Sequence, residues 1–211
     1  MTRNITEALG RWLAEGCTQM GQVEILREAE GYQLRHIDDA SRTDLELFTR
    51  PEDARHLSVY DDEGRFRPLR TAPNLRHGWL LRLSDLAGVR VALDYFYPGM
   101  LGVLVSHERG QLPVIPLRDM LERQTGMYAV TKKITDEEAQ AMIGRFCKSQ
   151  GGCLKTILWR ISPEVPVASL PRGKFDPSVN QTGAGARAIP MLCHEACNLL
   201  VAEARSVVKA R

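Results

Sequence analysis

The sequence predicts an α+β fold, with a small mixed α/β module at the N-terminal end and a mainly helical part after it. Three observations carry this. Up to about residue 84, short runs place apolar residues at every second position and are separated by acidic or glycine-containing turns. From Ser84 onward the apolar spacing widens to that of helices. Four of the five cysteines then fall within residues 147–197, on either side of a proline-rich stretch. A chain of 211 residues makes one large domain or two small ones, and a boundary near residue 110 divides it into 1–110 and 111–211.

The first element is an amphipathic helix in "MTRNITEALGRWLAEG", with Ile5, Leu9, Trp12 and Leu13 on one face. Cys17 is placed alone in this helix and is expected to be an ordinary core or surface residue. "QVEILREAEGYQLRHI" predicts a hairpin turning at Glu30-Gly31, because Val23, Ile25, Tyr32 and Leu34 alternate with polar residues. "LELF" predicts a third strand. "PEDARHL" predicts a helical turn, with Pro51 at its start and acids in its first turn. "LSVYDDEGRFRPLR" has the form of a second hairpin, and "GWLLRLS" of a further strand. In "SDLAGVRVALDYFYPGMLGVLVSHERG", Ser84 is the expected cap of a helix that Tyr97-Pro98-Gly99 breaks in two.

"PLRDMLERQTG" predicts a helix with proline in its first turn and Gly126 at its end. "TDEEAQAMIGRFC" predicts another, capped by Thr135 and running into Cys147. Residues 161–190 carry five prolines and are expected to form a long loop. The final helix is expected to begin straight after Pro190, in "PMLCHEACNLLVAEARSVVKA".

Composition excludes little. Hydrophobic content of 44%, charged content of 26% and a net charge of +2 are ordinary for a globular protein. The charge is uneven, since residues 131–211 carry 12 basic against 7 acidic side chains. No apolar stretch reaches the roughly 18 residues of a membrane span, and the N-terminus lacks the apolar core of a secretory signal. The expected location is therefore the cytoplasm, where thiols stay reduced and grouped cysteines are ligands more often than disulfides. No phosphate-binding glycine loop and no interleaved basic and aromatic stripe is present, so neither a nucleic-acid nor a membrane partner is expected. The histidines at 36, 56, 77, 107 and 194 form no HxxxH or HExxH pair.

The cysteines carry the chemistry. On a helix, Cys193 and Cys197 would share a face, with Cβ atoms roughly 5–6 Å apart, and would sit where the helix dipole favours thiolates. Gly151-Gly152 would let the backbone fold tightly between Cys147 and Cys153. Four thiolates can hold an iron–sulfur cluster, a structural zinc or nothing. The six-residue spacing of Cys147 and Cys153 exceeds the usual zinc knuckle, and neither pair matches the common ferredoxin run. Spacing alone leaves all three open. Lys148, Lys155, Arg160, Arg172 and Lys174 lie near these cysteines in sequence and would offset the charge of a cluster, or form a solvated rim. Arg123, Thr125 and Tyr128 flank the Gly126 turn and are the other candidates for contact with a bound group or partner.

The strings "LRDMLERQTGMY", "GGCLKTILW", "LPRGKFDP" and "PMLCHEACNLLVAEAR" together resemble the 4Fe-4S cluster-binding domain found behind CbiX-type, sirohydrochlorin-chelatase-like proteins. The resemblance implies a stabilising α+β domain over 1–110 and an iron–sulfur cluster domain over 111–211. It further implies a 4Fe-4S cluster ligated by Cys147, Cys153, Cys193 and Cys197, favouring iron over zinc. Longer members of that family place a chelatase domain ahead of these two, for which 211 residues leave no room. The expectation is an electron-transfer or chelatase-associated accessory protein with a chelatase or redox partner, and not an enzyme on its own. A structural zinc-binding interaction module is the alternative.

Overall fold

A computed structural model of the chain describes residues 2–58, 75–147, 153–161 and 187–211. The fold is α+β. Helix α1 (Thr2–Ala14) leads into strands β1 (Cys17–Met20), β2 (Val23–Glu28) and β3 (Gly31–His36). A 3-10 turn over Ile37–Asp39, strand β4 (Glu46–Phe48), a second 3-10 turn over Pro51–Asp53 and helix α2 (Ala54–Leu57) follow. Strand β5 (Trp79–Leu83) then precedes helices α3 (Leu86–Phe96) and α4 (Met100–Glu108). The remaining elements are α5 (Leu117–Glu122), a 3-10 turn over Gly126–Lys133, α6 (Asp136–Phe146), β6 (Thr156–Ile157), β7 (Arg187–Ile189), β8 (Leu192–Cys193) and α7 (Asn198–Lys209). No described helix is long and apolar enough to cross a membrane.

The larger sheet runs β4-β5-β3-β2-β1-β7. Its register follows from the period-2 pattern. Ile25 stands opposite Leu34 and Leu34 opposite Leu81, so the three apolar side chains line one buried face. Helices α1 and α3 close that core. Val89, Ala92, Leu93 and Phe96 of α3 are all buried, with the Phe96 ring 5.1 Å from that of Trp79. The α3–α4 break falls at Pro98-Gly99 as expected, where Gly99 takes the left-handed conformation at φ 74°.

The edge strand β7 comes from the far end of the chain. It pairs parallel to β1, with Met20 opposite Ile189, and Ile189 is buried in the sheet's own core. A second core lies among α5, α6, α7 and the 126–133 turn, built on Leu117, Leu121, Ile143, Trp159, Leu200 and Ala204. The two-stranded β6–β8 sheet stands between the cores. Leu158 and Leu192 belong to the first, whereas Ile157, Trp159 and Cys193 pack with the second. Residues adjacent in the chain thus join opposite cores, as an extended backbone requires.

Several expectations are corrected. Asp85, not Ser84, caps α3, accepting from the Gly88 amide at 2.7 Å. Pro116 precedes α5 instead of lying in its first turn, and α5 ends at Glu122, with Gly126 opening the next turn. Cys17 is a core residue but lies in β1, not in the N-terminal helix. The final helix does not start after Pro190: residues 192–193 are strand and α7 begins at Asn198. Part of the expected loop is also strand, namely β7. The second hairpin, read over 57–70, lies outside the described residues apart from Leu57 and Ser58, as does the 162–186 part of the expected loop. The Thr135 cap is as expected. Its hydroxyl accepts from the Glu138 amide at 3.2 Å while Glu138 accepts from the Thr135 amide at 2.8 Å.

Candidate metal centre

Each of the four candidate cysteines sits where an element ends. Cys147 terminates α6, its N–H bonded to the Ile143 carbonyl. Cys153 lies just before β6, and its sulfur accepts from the Lys155 amide at 3.4 Å. Cys193 is the last residue of β8, held by register opposite Ile157 and by the Leu158 amide on its carbonyl at 2.8 Å. Cys197 caps α7, its sulfur accepting from the Leu200 amide at 3.5 Å. The backbone is already fixed on one side of each sulfur. None of the five cysteines forms a disulfide.

Cys147, Cys193 and Cys197 pack against the second core, and Cys153, Cys193 and Cys197 lie within electrostatic reach of one another. Burial pushes the Cys153 thiol up, and the neighbouring Cys193 and Cys197 sulfurs add to the shift. The Lys155 amide and ammonium oppose it. Burial likewise pushes Cys193 up, against the pull of Trp159 and Lys155. Crowded, desolvated thiols of this kind hold their protons until a metal ion or other cation compensates the thiolate charge. Of the basic set, Lys155 acts on the Cys153 and Cys193 thiols, and Arg160 joins its backbone to Ile115 and Leu117. Lys148, Arg172 and Lys174 lie outside the described residues.

Trp159 was missed by sequence reasoning. Its indole N–H is buried and makes no hydrogen bond of ordinary geometry among the described residues, yet it is near enough to Cys193 to favour the thiolate. The Trp159 N–H thus lies beside the Cys193 sulfur. A buried donor with no acceptor is costly and marks a place where a partner belongs. Among the described residues, the one group of three or more metal-ligating side chains whose ligand atoms all lie within 4.8 Å is His36–Asp39–His77, not a set of cysteines.

Tyr128 is half-exposed beside the C-terminal helix, with the Arg205 guanidinium 5.7 Å from its ring centre. Neither Tyr128 nor Arg123 is tied to the cysteines by any described contact. His194 is partly exposed, 3.7 Å from the Glu195 carboxylate.

Comparison with known proteins bears on this site. Residues 109–206 match the model of a 4Fe-4S iron-sulfur cluster binding domain. The C-terminal half resembles an iron–sulfur domain. Residues 5–108 match the model of the DR2241 stabilising domain, so the two likenesses together run from residue 5 to residue 206. Among solved structures, the chain is similar to DR2241 from Deinococcus radiodurans, described as a multi-domain protein with structural similarity to chelatases but also with two additional novel domains. The TM-score is 0.72 and the identity 28%, over 98% of this chain and 41% of that one. The chain therefore spans less than half the length of that protein. Among the curated proteins none matches the sequence.

Proposed function

We propose that this chain is a cytoplasmic iron–sulfur protein that holds a 4Fe-4S cluster on Cys147, Cys153, Cys193 and Cys197. In this reading it acts in electron transfer, or as an accessory to a partner that inserts metal into a tetrapyrrole such as sirohydrochlorin. The observation that carries the reading is the grouping of the partly buried Cys153, Cys193 and Cys197 thiols, beside the Trp159 N–H and the second core against which Cys147 also packs. The likeness of residues 109–206 to a 4Fe-4S binding domain supports the same donor set.

The residues divide the work. Cys153 and Cys193 bring sulfur from either end of the β6–β8 pair, and Cys147 and Cys197 from two helix termini. Lys155 offsets the negative charge, and the Leu200 and Lys155 amides stabilise the thiolates. A bound cluster would supply one-electron redox chemistry. Four cysteine ligands leave no iron free for a substrate, which is why an accessory role is preferred to that of a complete enzyme. The test is metal insertion into sirohydrochlorin by the purified chain, alone and beside a separate chelatase. The chain alone is expected to be inactive, and robust insertion by it would refute the accessory role.

Trp159→Phe tests the donor. Losing one N–H toward Cys193 should lower the midpoint potential by roughly 40 mV, the one-electron equivalent of about 1 kcal/mol. Iron content should not change. A potential that stays level or rises would remove Trp159 from the site.

A further inference from the structure

We propose a second metal site, at the opposite end of the sequence from the cysteines, in which His36, Asp39 and His77 bind a divalent transition-metal ion. One nitrogen from each ring and one carboxylate oxygen lie within 4.8 Å of one another. The fold brings them together by antiparallel pairing. The end of β3 lies beside the start of β5, so His36 meets His77, and the Ile37–Asp39 turn returns Asp39 to the same point. The two imidazole rings are 4.0 Å apart at their centres, and His77 Nδ1 is 3.5 Å from Asp39 Oδ1.

A second observation points to a ligand. The His36 side chain is wholly buried, and its Nε2 has no hydrogen-bond partner among the described residues. Its other nitrogen, Nδ1, accepts from the Asp38 amide at 3.1 Å, so the neutral ring carries its proton on Nε2, facing nothing. An ion on Nε2 removes that defect. The proton then moves to Nδ1, which gives up the Asp38 amide and turns to the Asp38 carboxylate 3.7 Å away, the arrangement in which a carboxylate orients a ligating histidine.

Asp39 is prepared in the same way. Its Oδ2 is held by the Gly78 amide at 2.6 Å. Oδ1 is left to His77 and to a long 3.4 Å contact with Arg42, whose firmer partner is Asp44 at 2.8 Å. Arg42 can stay with Asp44 and release Oδ1. Two imidazoles and one carboxylate suit zinc, cobalt or nickel better than calcium or magnesium. Because the His77 side chain is 53% exposed, the remaining coordination positions open to solvent.

Cobalt(II) is the probe, because thiolate ligation gives an intense near-ultraviolet charge-transfer band and nitrogen–oxygen ligation does not. The anaerobically purified full chain, its cysteines holding whatever cofactor they carry as isolated, is titrated alongside His77→Ala and Asp39→Asn. His77 is exposed enough to be replaced without disturbing the core, and the Asp39→Asn side chain keeps an oxygen for the Gly78 amide. The expected result is one equivalent bound without the thiolate band, at least tenfold more weakly in both variants. Unchanged binding in either variant, or a thiolate band accompanying that equivalent, overturns the site.

Discussion

Replacing Cys197 by alanine is expected to leave the anaerobically purified protein with most of its iron and sulfide gone. Two roles meet in this residue, because its sulfur also accepts the Leu200 amide at the start of α7. Losing a cap costs about 1 kcal/mol, too little to unfold a domain, so iron loss and a small drop in melting temperature should separate. Cys197→Ser sharpens the distinction. Its hydroxyl caps at least as well as the thiol but is a poor ligand for an iron–sulfur cluster, so stability should largely return and iron should not. Cys17→Ala is the control. Cys17 is buried in β1, with the sheet core, and its loss should leave iron content unchanged. Iron kept in Cys197→Ala but lost in Cys17→Ala would reverse the assignment of ligands.

Ile189→Ala is expected to show that the N-terminal sheet holds the metal centre in place. Ile189 is almost wholly buried, opposite Met20 on the parallel β1–β7 pair. Its truncation should cost about 2–5 kcal/mol, as for other large-to-small core changes. Four residues on, Cys193 ends β8, and Met191 and Leu192 between them are buried in the first core. The segment is thus anchored by β1 on one side and β6 on the other. Loosening one anchor should speed iron release to a chelator as well as lower the melting temperature. Thermal destabilisation with an unchanged release rate would mean that the β6 pairing alone positions Cys193.

Much of the N-terminal architecture was legible because its signals are local. The Ile25–Leu34 alternation fixes a hairpin register, and Tyr97-Pro98-Gly99 stops a helix wherever it occurs. The cysteine set was legible as a set, but its local structure was not. "PMLCHEACNLL" has helical apolar spacing after a proline, yet Met191 and Leu192 are drawn into the first core and β8 pairs with β6. Pairing across the chain overrides local propensity. Strand β7 is three residues long and finds its partner about 170 positions away, leaving no periodicity to detect. His36 and His77 form no pair in the sequence, and only the β3–β5 pairing makes them neighbours. The Trp159 N–H was invisible for the same reason, since a tryptophan in an apolar run signals burial and nothing about its donor.

The account rests on what the four cysteines hold, and the metal and sulfide content of the anaerobically purified protein tests that most directly. A brown protein with about four irons and four acid-labile sulfides per chain is the expected result. A colourless protein carrying one zinc per chain, tightly bound and removed by blocking the thiols, would contradict it.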